Sequence, residues 1–184
     1  MSRYSVVCVA LAIPGWLGMS AGLAQVKVLT QHNDNFRTGQ NTSEAVLTPS
    51  NVSSGSFGKL FSQTVAGAIY AQPLYMSSVN IPSQGVHNVV YVATENDSVY
   101  AFDADNNQGA NANPLWTASF TDPAQGITAA PNSDQGCGDI APEIRLTGTP
   151  FIDPSANTLS DDNAVGVGQR HCERHCVGHR LERL

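Results

Sequence analysis

The sequence predicts an all-β fold built on a repeating four-stranded unit, and three observations carry that prediction. Residues 87–116 read as two apolar strands, Asn88-Val-Val-Tyr-Val-Ala-Thr94 and Val99-Tyr-Ala-Phe-Asp103, joined by the polar turn Glu95-Asn-Asp-Ser98 and followed by Pro114-Leu-Trp116. Pieces of this pattern recur further along the chain. Charged residues make up only 13% of the 184, while Gly, Pro, Asn, Ser and Thr are abundant, the composition of short strands joined by specific turns.

Residues 1–24 have the form of a secretory signal. Arg3 supplies a positive start, Val6–Ile13 a short apolar core and Gly22-Leu-Ala24 a small-residue cleavage site. A membrane span is not expected, because the apolar run breaks at Pro14-Gly15, short of the roughly 20 residues a spanning helix needs. No Cys follows the cleavage site, so no lipid anchor is expected either. Export, secreted or periplasmic, would permit disulfides, but loss of Cys8 leaves Cys137, Cys172 and Cys176, an odd number. The net charge of −6 grows more negative once Arg3 is removed, which argues against electrostatic binding to nucleic acid or anionic lipid.

Residues 25–56 are expected to form one strand, Val26–Thr30, and an irregular arm. Its stretches 32–43 and 47–56 are polar, aperiodic and rich in turn formers. Asn41, Asn51 and Asn96 each begin an Asn-x-Ser match to the N-glycosylation pattern, which chance explains in so Asn- and Ser-rich a chain.

From Phe57 the strand signals become regular. Lys59–Val65, Ala68–Met76, Asn88–Thr94 and Ser98–Asp103 are the four expected strands, together one blade of a β-propeller. Side chains alternate along a strand, so Val90 and Val92 should face one neighbouring sheet and Val89, Tyr91 and Ala93 the other. Pro73 lacks a ladder donor, which assigns its strand to a sheet edge. Leu60-Phe61 is echoed by Leu115-Trp116, and Ala71-Gln-Pro73-Leu-Tyr75 by Gly148-Thr-Pro150-Phe-Ile152, read as the opening strands of a second blade. Between them, Thr121–Leu146 is too long for an ordinary inter-strand loop, and loops of that kind carry function.

At Ala101, Asp103 and Trp116 the chain resembles the quinoprotein-like β-propeller repeat family, in particular its exported bacterial members. Blades of that family close with Ala-x-Asp-x-x-Thr-Gly-x-x-x-Trp; here Asn106 and Asn107 replace the Thr and Gly, and five extra residues precede Trp116. The resemblance covers residues 57–159. It implies a packed Ala101, a turn organised by Asp103 and a Trp116 docked between blades. The family includes pyrroloquinoline-quinone-dependent dehydrogenases, which hold the quinone and calcium at the centre of a closed ring, and many of which stack a vicinal Cys-Cys disulfide on the cofactor. No Cys-Cys pair occurs in this sequence. No catalytic or cofactor-binding residue is therefore assigned, and an oxidoreductase with pyrroloquinoline quinone and calcium is the alternative to a non-catalytic module that binds a protein or polysaccharide.

Two segments hold potential metal ligands. Asp134, Asp139 and Glu143 offer oxygen donors, but their spacing matches no known calcium loop, and a solvated acidic loop is the preferred reading. In the tail, His171, His175 and His179 would share one face of a helix with Cys172 and Cys176 adjacent, nitrogen and sulfur ligands suited to zinc. The preferred reading of residues 160–184 is instead an aberrant or disordered end, because Ser160-Asp-Asp-Asn163 breaks the strand pattern and the pattern does not return, as after a shifted reading frame.

Propellers close with about four to eight blades. This chain holds one blade and the start of a second, so its expected partners are the remaining blades of a longer chain, or further copies of itself. If the signal is cleaved as expected, N-terminal sequencing of secreted protein will begin at Gln25; material retaining Met1 would rule the signal out.

Overall fold

The computed structural model describes residues 26–53, 55, 57–128, 130–131, 133, 140–161 and 179–183. The fold is all-β. Strands β1 (Leu74–Ile81), β2 (Gly85–Thr94), β3 (Ser98–Asp103) and β4 (Trp116–Ser119) form a four-stranded antiparallel sheet in the order β1-β2-β3-β4. Short β5 (Ala130–Pro131) and β6 (Glu143–Ile144) pair with each other. A three-stranded antiparallel sheet follows, in the order β7 (Phe151–Asp153), β8 (Thr158–Asp161) and β9 (His179–Arg183). Helix among the described residues is limited to short 3₁₀ turns, among them Gly109–Ala112 and Pro123–Gln125.

The first sheet is displaced by one strand from the expected unit. Lys59–Val65 joins no ladder among the described residues, and the strand expected from Ala68 begins at Leu74, just after Pro73, on the sheet edge. Trp116, which the echo of Leu60-Phe61 assigns to the second unit and the family motif to the close of the first, closes the first: it pairs with Ala101, and the Leu115 N–H donates to Ala101 O at 2.8 Å. The cause is the turn that opens the β3–β4 connection. There Asp103 Oδ1 accepts from the N–H groups of Asp105 and Asn106, both at 2.9 Å, and sends the chain back along β3. The strand pattern also persists beyond Leu159, against expectation, because β8 continues to Asp161 and β9 pairs with it.

Register puts Leu74, Tyr91, Ala101 and Trp116 on one face of the sheet and Tyr75, Val90 and Phe102 on the other. The first face makes the core. Val89, Tyr91, Val99 and Ala101 pack there with Leu146, Ile152 and Leu159, which belong to the second sheet and the segment leading to it. Trp116 adds its ring to Tyr91, with centroids 5.8 Å apart. On the opposite face Tyr100 and Phe102 stack at 5.9 Å, and Ala66 N–H donates to the Tyr100 hydroxyl, so the chain before β1 lies on that side.

The arm stitches the two sheets. Val28 exchanges both backbone hydrogen bonds with Tyr75 of β1, each 2.9 Å, while Leu29 O accepts from Ile152 N–H of β7 at 2.8 Å. Alongside, Gln72 N–H donates to Thr149 Oγ1 at 2.9 Å. The residues ahead of the two repeated prolines are thus direct neighbours.

Leu74 is 1% exposed and touches this shared core. Truncating a buried leucine costs about 2–5 kcal/mol, from lost transfer energy plus the cavity left behind. Leu74→Ala is expected to lower the denaturation midpoint accordingly, measured by chemical unfolding followed by Trp116 fluorescence.

Candidate functional site

The polar groups of the first sheet concentrate at the two ends of the β2–β3 hairpin. At the turn, Asp97 takes a left-handed φ of 53°, which Asp tolerates better than most residues, and Asp97 N–H donates to Thr94 O at 3.1 Å. The same turn is gripped from outside. Glu95 N–H donates to Ala68 O at 2.9 Å, and Gly67 approaches so closely that a Cβ there would lie 2.8 Å from Asn96 N and Cβ. Gly67 also has φ +85°, so glycine is required on both counts.

Glu95 is fully buried. Its Oε2 accepts from Arg145 N–H at 2.5 Å and from Thr147 Oγ1 at 3.0 Å. The Arg145 guanidinium lies 3.8 Å from Asp97 Oδ2 and donates to Thr128 O. This cluster ties the turn of the first sheet to the segment that leads into the second. Glu95 Oε1 and Arg145 Nε find no hydrogen-bond partner among the described residues. Buried polar atoms left without a hydrogen bond cost free energy, so the cluster fixes geometry more than it adds stability.

At the other end, His87 Nδ1 donates to Asp103 Oδ2 at 2.6 Å and Nε2 meets Gln84 O at 3.2 Å. Both acceptors favour a doubly protonated ring, and the hydrogen bond to Asp103 raises the His87 pKa above its ordinary value. Burial works to raise that of Asp103, but hydrogen bonds from His87, Asn106 and Asp105 outweigh it and hold the carboxyl below the usual range. Both imidazole nitrogens and both carboxylate oxygens are thereby engaged, which makes the pair a positioning device for the β3–β4 turn.

Of the expected site residues, Glu143 lies in β6, half-buried and paired in register with Pro131. Asp134, Asp139, His171, Cys172, His175 and Cys176 lie outside the described residues, as do the signal segment and all four cysteines. Among the described residues no group of three or more His, Cys, Asp or Glu side chains could hold a metal ion, and no helix is long and apolar enough to cross a membrane. Sequence reasoning missed the Glu95–Arg145 junction. The available signal was Arg145 itself, the lone Lys or Arg between Lys59 and Arg170. Comparison with protein-family models, with curated proteins and with solved structures finds no match.

The pKa directions set a pH window. Because the His87 value is raised, its contribution is complete below the ordinary 6.5 and is lost as pH rises through the higher folded value. Because the Asp103 value is lowered, its contribution is present above the ordinary 3.8 and is lost as pH falls through the lower folded value. Stability should therefore fall from pH 6.5 upward, and His87→Gln should flatten that decline while lowering stability at about pH 5, between the two ordinary values. Urea unfolding across pH checks both; an unchanged slope above pH 6.5 in the variant would remove His87 from the account.

Proposed function

We propose that the chain is part of an exported β-propeller, of the kind its Ala101-x-Asp103 motif and Trp116 resemble, and that it works as a non-catalytic binding module. The observation that carries this reading is the pairing of two successive sheets: a complete four-stranded meander closed by Trp116, and a second meander that begins after Pro150 as the first does after Pro73. Stacked sheets joined in this way bury a shared core, and in such arrays each unit depends on its neighbours.

In this reading the rigid sheets display the long connection between β4 and β7, residues 120–150, as the binding element. Its ligand is a protein or a polysaccharide. Rigid scaffolds bind through variable loops, and this connection is anchored at Arg145 and Thr147 to the buried Glu95. Fold alone does not confer catalysis. An oxidoreductase that uses pyrroloquinoline quinone is the competing proposal.

Titration with pyrroloquinoline quinone, with and without calcium, separates the two. The module reading expects no saturable binding and no dye reduction. Stoichiometric binding with quinone-dependent dye reduction would replace it with the enzyme. Affinity electrophoresis in gels containing soluble polysaccharides tests the positive half, with retardation expected for the polysaccharide that is bound.

A further inference from the structure

The outer position of the first sheet is filled by β4, and Leu115, just before it, is only 7% exposed and bonds to Ala101 of β3. The sequence repeats that position upstream at Leu60-Phe61, where Leu60 is 90% exposed. The segment around Leu60 has the form of a strand without a sheet. Phe61, Gln63 and Val65 are half-buried while Ser62 and Thr64 are exposed, the period-two alternation of an extended chain.

One edge of this segment is anchored. Ser62 O accepts from Asn107 Nδ2 and Ala66 N–H donates to the Tyr100 hydroxyl, both at 3.2 Å. In an extended chain the backbone groups of alternate residues point to opposite edges. Those of Phe61, Gln63 and Val65 consequently face away from the first sheet, and among the described residues no backbone hydrogen bond satisfies them.

The second sheet has the complementary deficiency. Its strands β7, β8 and β9 correspond in order to β1, β2 and β3, and among the described residues nothing pairs with the far edge of β9. Carrying the register across from the first sheet, Arg180 of β9 stands where Ala101 stands in β3, opposite Trp116 there and opposite Phe61 in a completed second sheet. Within one chain this pairing is obstructed. Residues 59–66 are pinned to the Tyr100 face of the first sheet, whereas the second sheet packs on the Tyr91 face.

We propose that Lys59–Val65 of one copy pairs with the β9 edge of a second copy, and the reverse, so that two chains complete each other's sheets about a two-fold axis. The inference rests on the partial-propeller reading. It commits both chains to one self-complementary interface, as two-fold symmetry requires. The strand is already ordered by its Asn107 and Tyr100 anchors, so pairing adds backbone hydrogen bonds with little further ordering cost. Leu60 then acquires the cover that Leu115 already has.

Sedimentation equilibrium of the full chain is the test. A reversible, concentration-dependent dimer is expected. Leu60→Lys, at an exposed position that tolerates the change, should give monomer at concentrations where the wild type is dimeric; Phe36→Lys, at an equally exposed position, should not. Val65→Pro, which removes one free-edge N–H, should act like Leu60→Lys. Hydrogen exchange should show the Phe61, Gln63 and Val65 amides slowed in the dimer and fast in the Leu60→Lys variant. A wild type that is monomeric at every concentration, or a dimer indifferent to Leu60→Lys, overturns the strand exchange. Slowed amides in a wild-type monomer overturn it too, by assigning the strand a partner in its own chain. Rapid exchange throughout β7 and β8 beside a protected β1–β4 sheet is a different result: it overturns the stacked-sheet reading itself.

Discussion

Strand β2 is apolar on both faces, and the architecture follows from that constraint. Val89, Tyr91 and Ala93 point one way and Val90 and Val92 the other, so a single sheet with one wet side cannot accommodate them. Burial supplies about 25 cal/mol per Å² of apolar surface, which makes leaving either face bare expensive for so short a chain. One face is covered by Leu146, Ile152 and Leu159, the other approached by the chain around Ala66. Apolar surface is indifferent to angle, however, and would allow the neighbouring layers to slide.

Directional contacts remove that freedom. The Val28–Tyr75 bridge and the Leu29–Ile152 hydrogen bond fix strands β1 and β7 relative to one another. Glu95 and Asp97 hold Arg145 at the opposite side of the hairpin, and two hydrogen bonds to a single buried carboxylate oxygen leave little tolerance for misalignment. Asp103 performs the same service within the first sheet, where its contacts with His87, Asp105 and Asn106 turn the chain so that Trp116 reaches Tyr91. Packing decides that the layers associate; these polar contacts decide how.

The two central strands were legible because both carry unbroken β-branched and aromatic runs bounded by turn formers, and the structure extends the first only at its N-terminal end, to Gly85, and matches the second. Strand partners were harder to read. Lys59–Val65 has the alternation of a strand, but alternation reports an extended chain with one covered face and cannot report whether a ladder is made. Trp116 carries two readings for the same reason, since Leu115-Trp116 is equally compatible with opening a sheet, as its likeness to Leu60-Phe61 suggests, and with closing one, as the family motif implies and the pairing with Ala101 has it. The burial of Glu95 is not legible in its own polar turn, because only the distant Arg145–Thr147 segment makes it possible. The acidic and His/Cys segments, on which the metal readings depended, bring no such comparison because only Glu143 and His179 of them fall within the described residues.

The contact between Gly67 and Asn96 also bears on how the protein can be manufactured. Asn96-Asp-Ser98 is a valid acceptor for oligosaccharide transfer, yet Gly67 leaves no room beside Asn96 even for one methyl group on its own Cα. A eukaryotic secretory host that decorates the nascent chain would set a bulky sugar in competition with the closing of this turn. Bacterial export involves no such contest, and the choice of host therefore becomes a choice between folding first and being modified first.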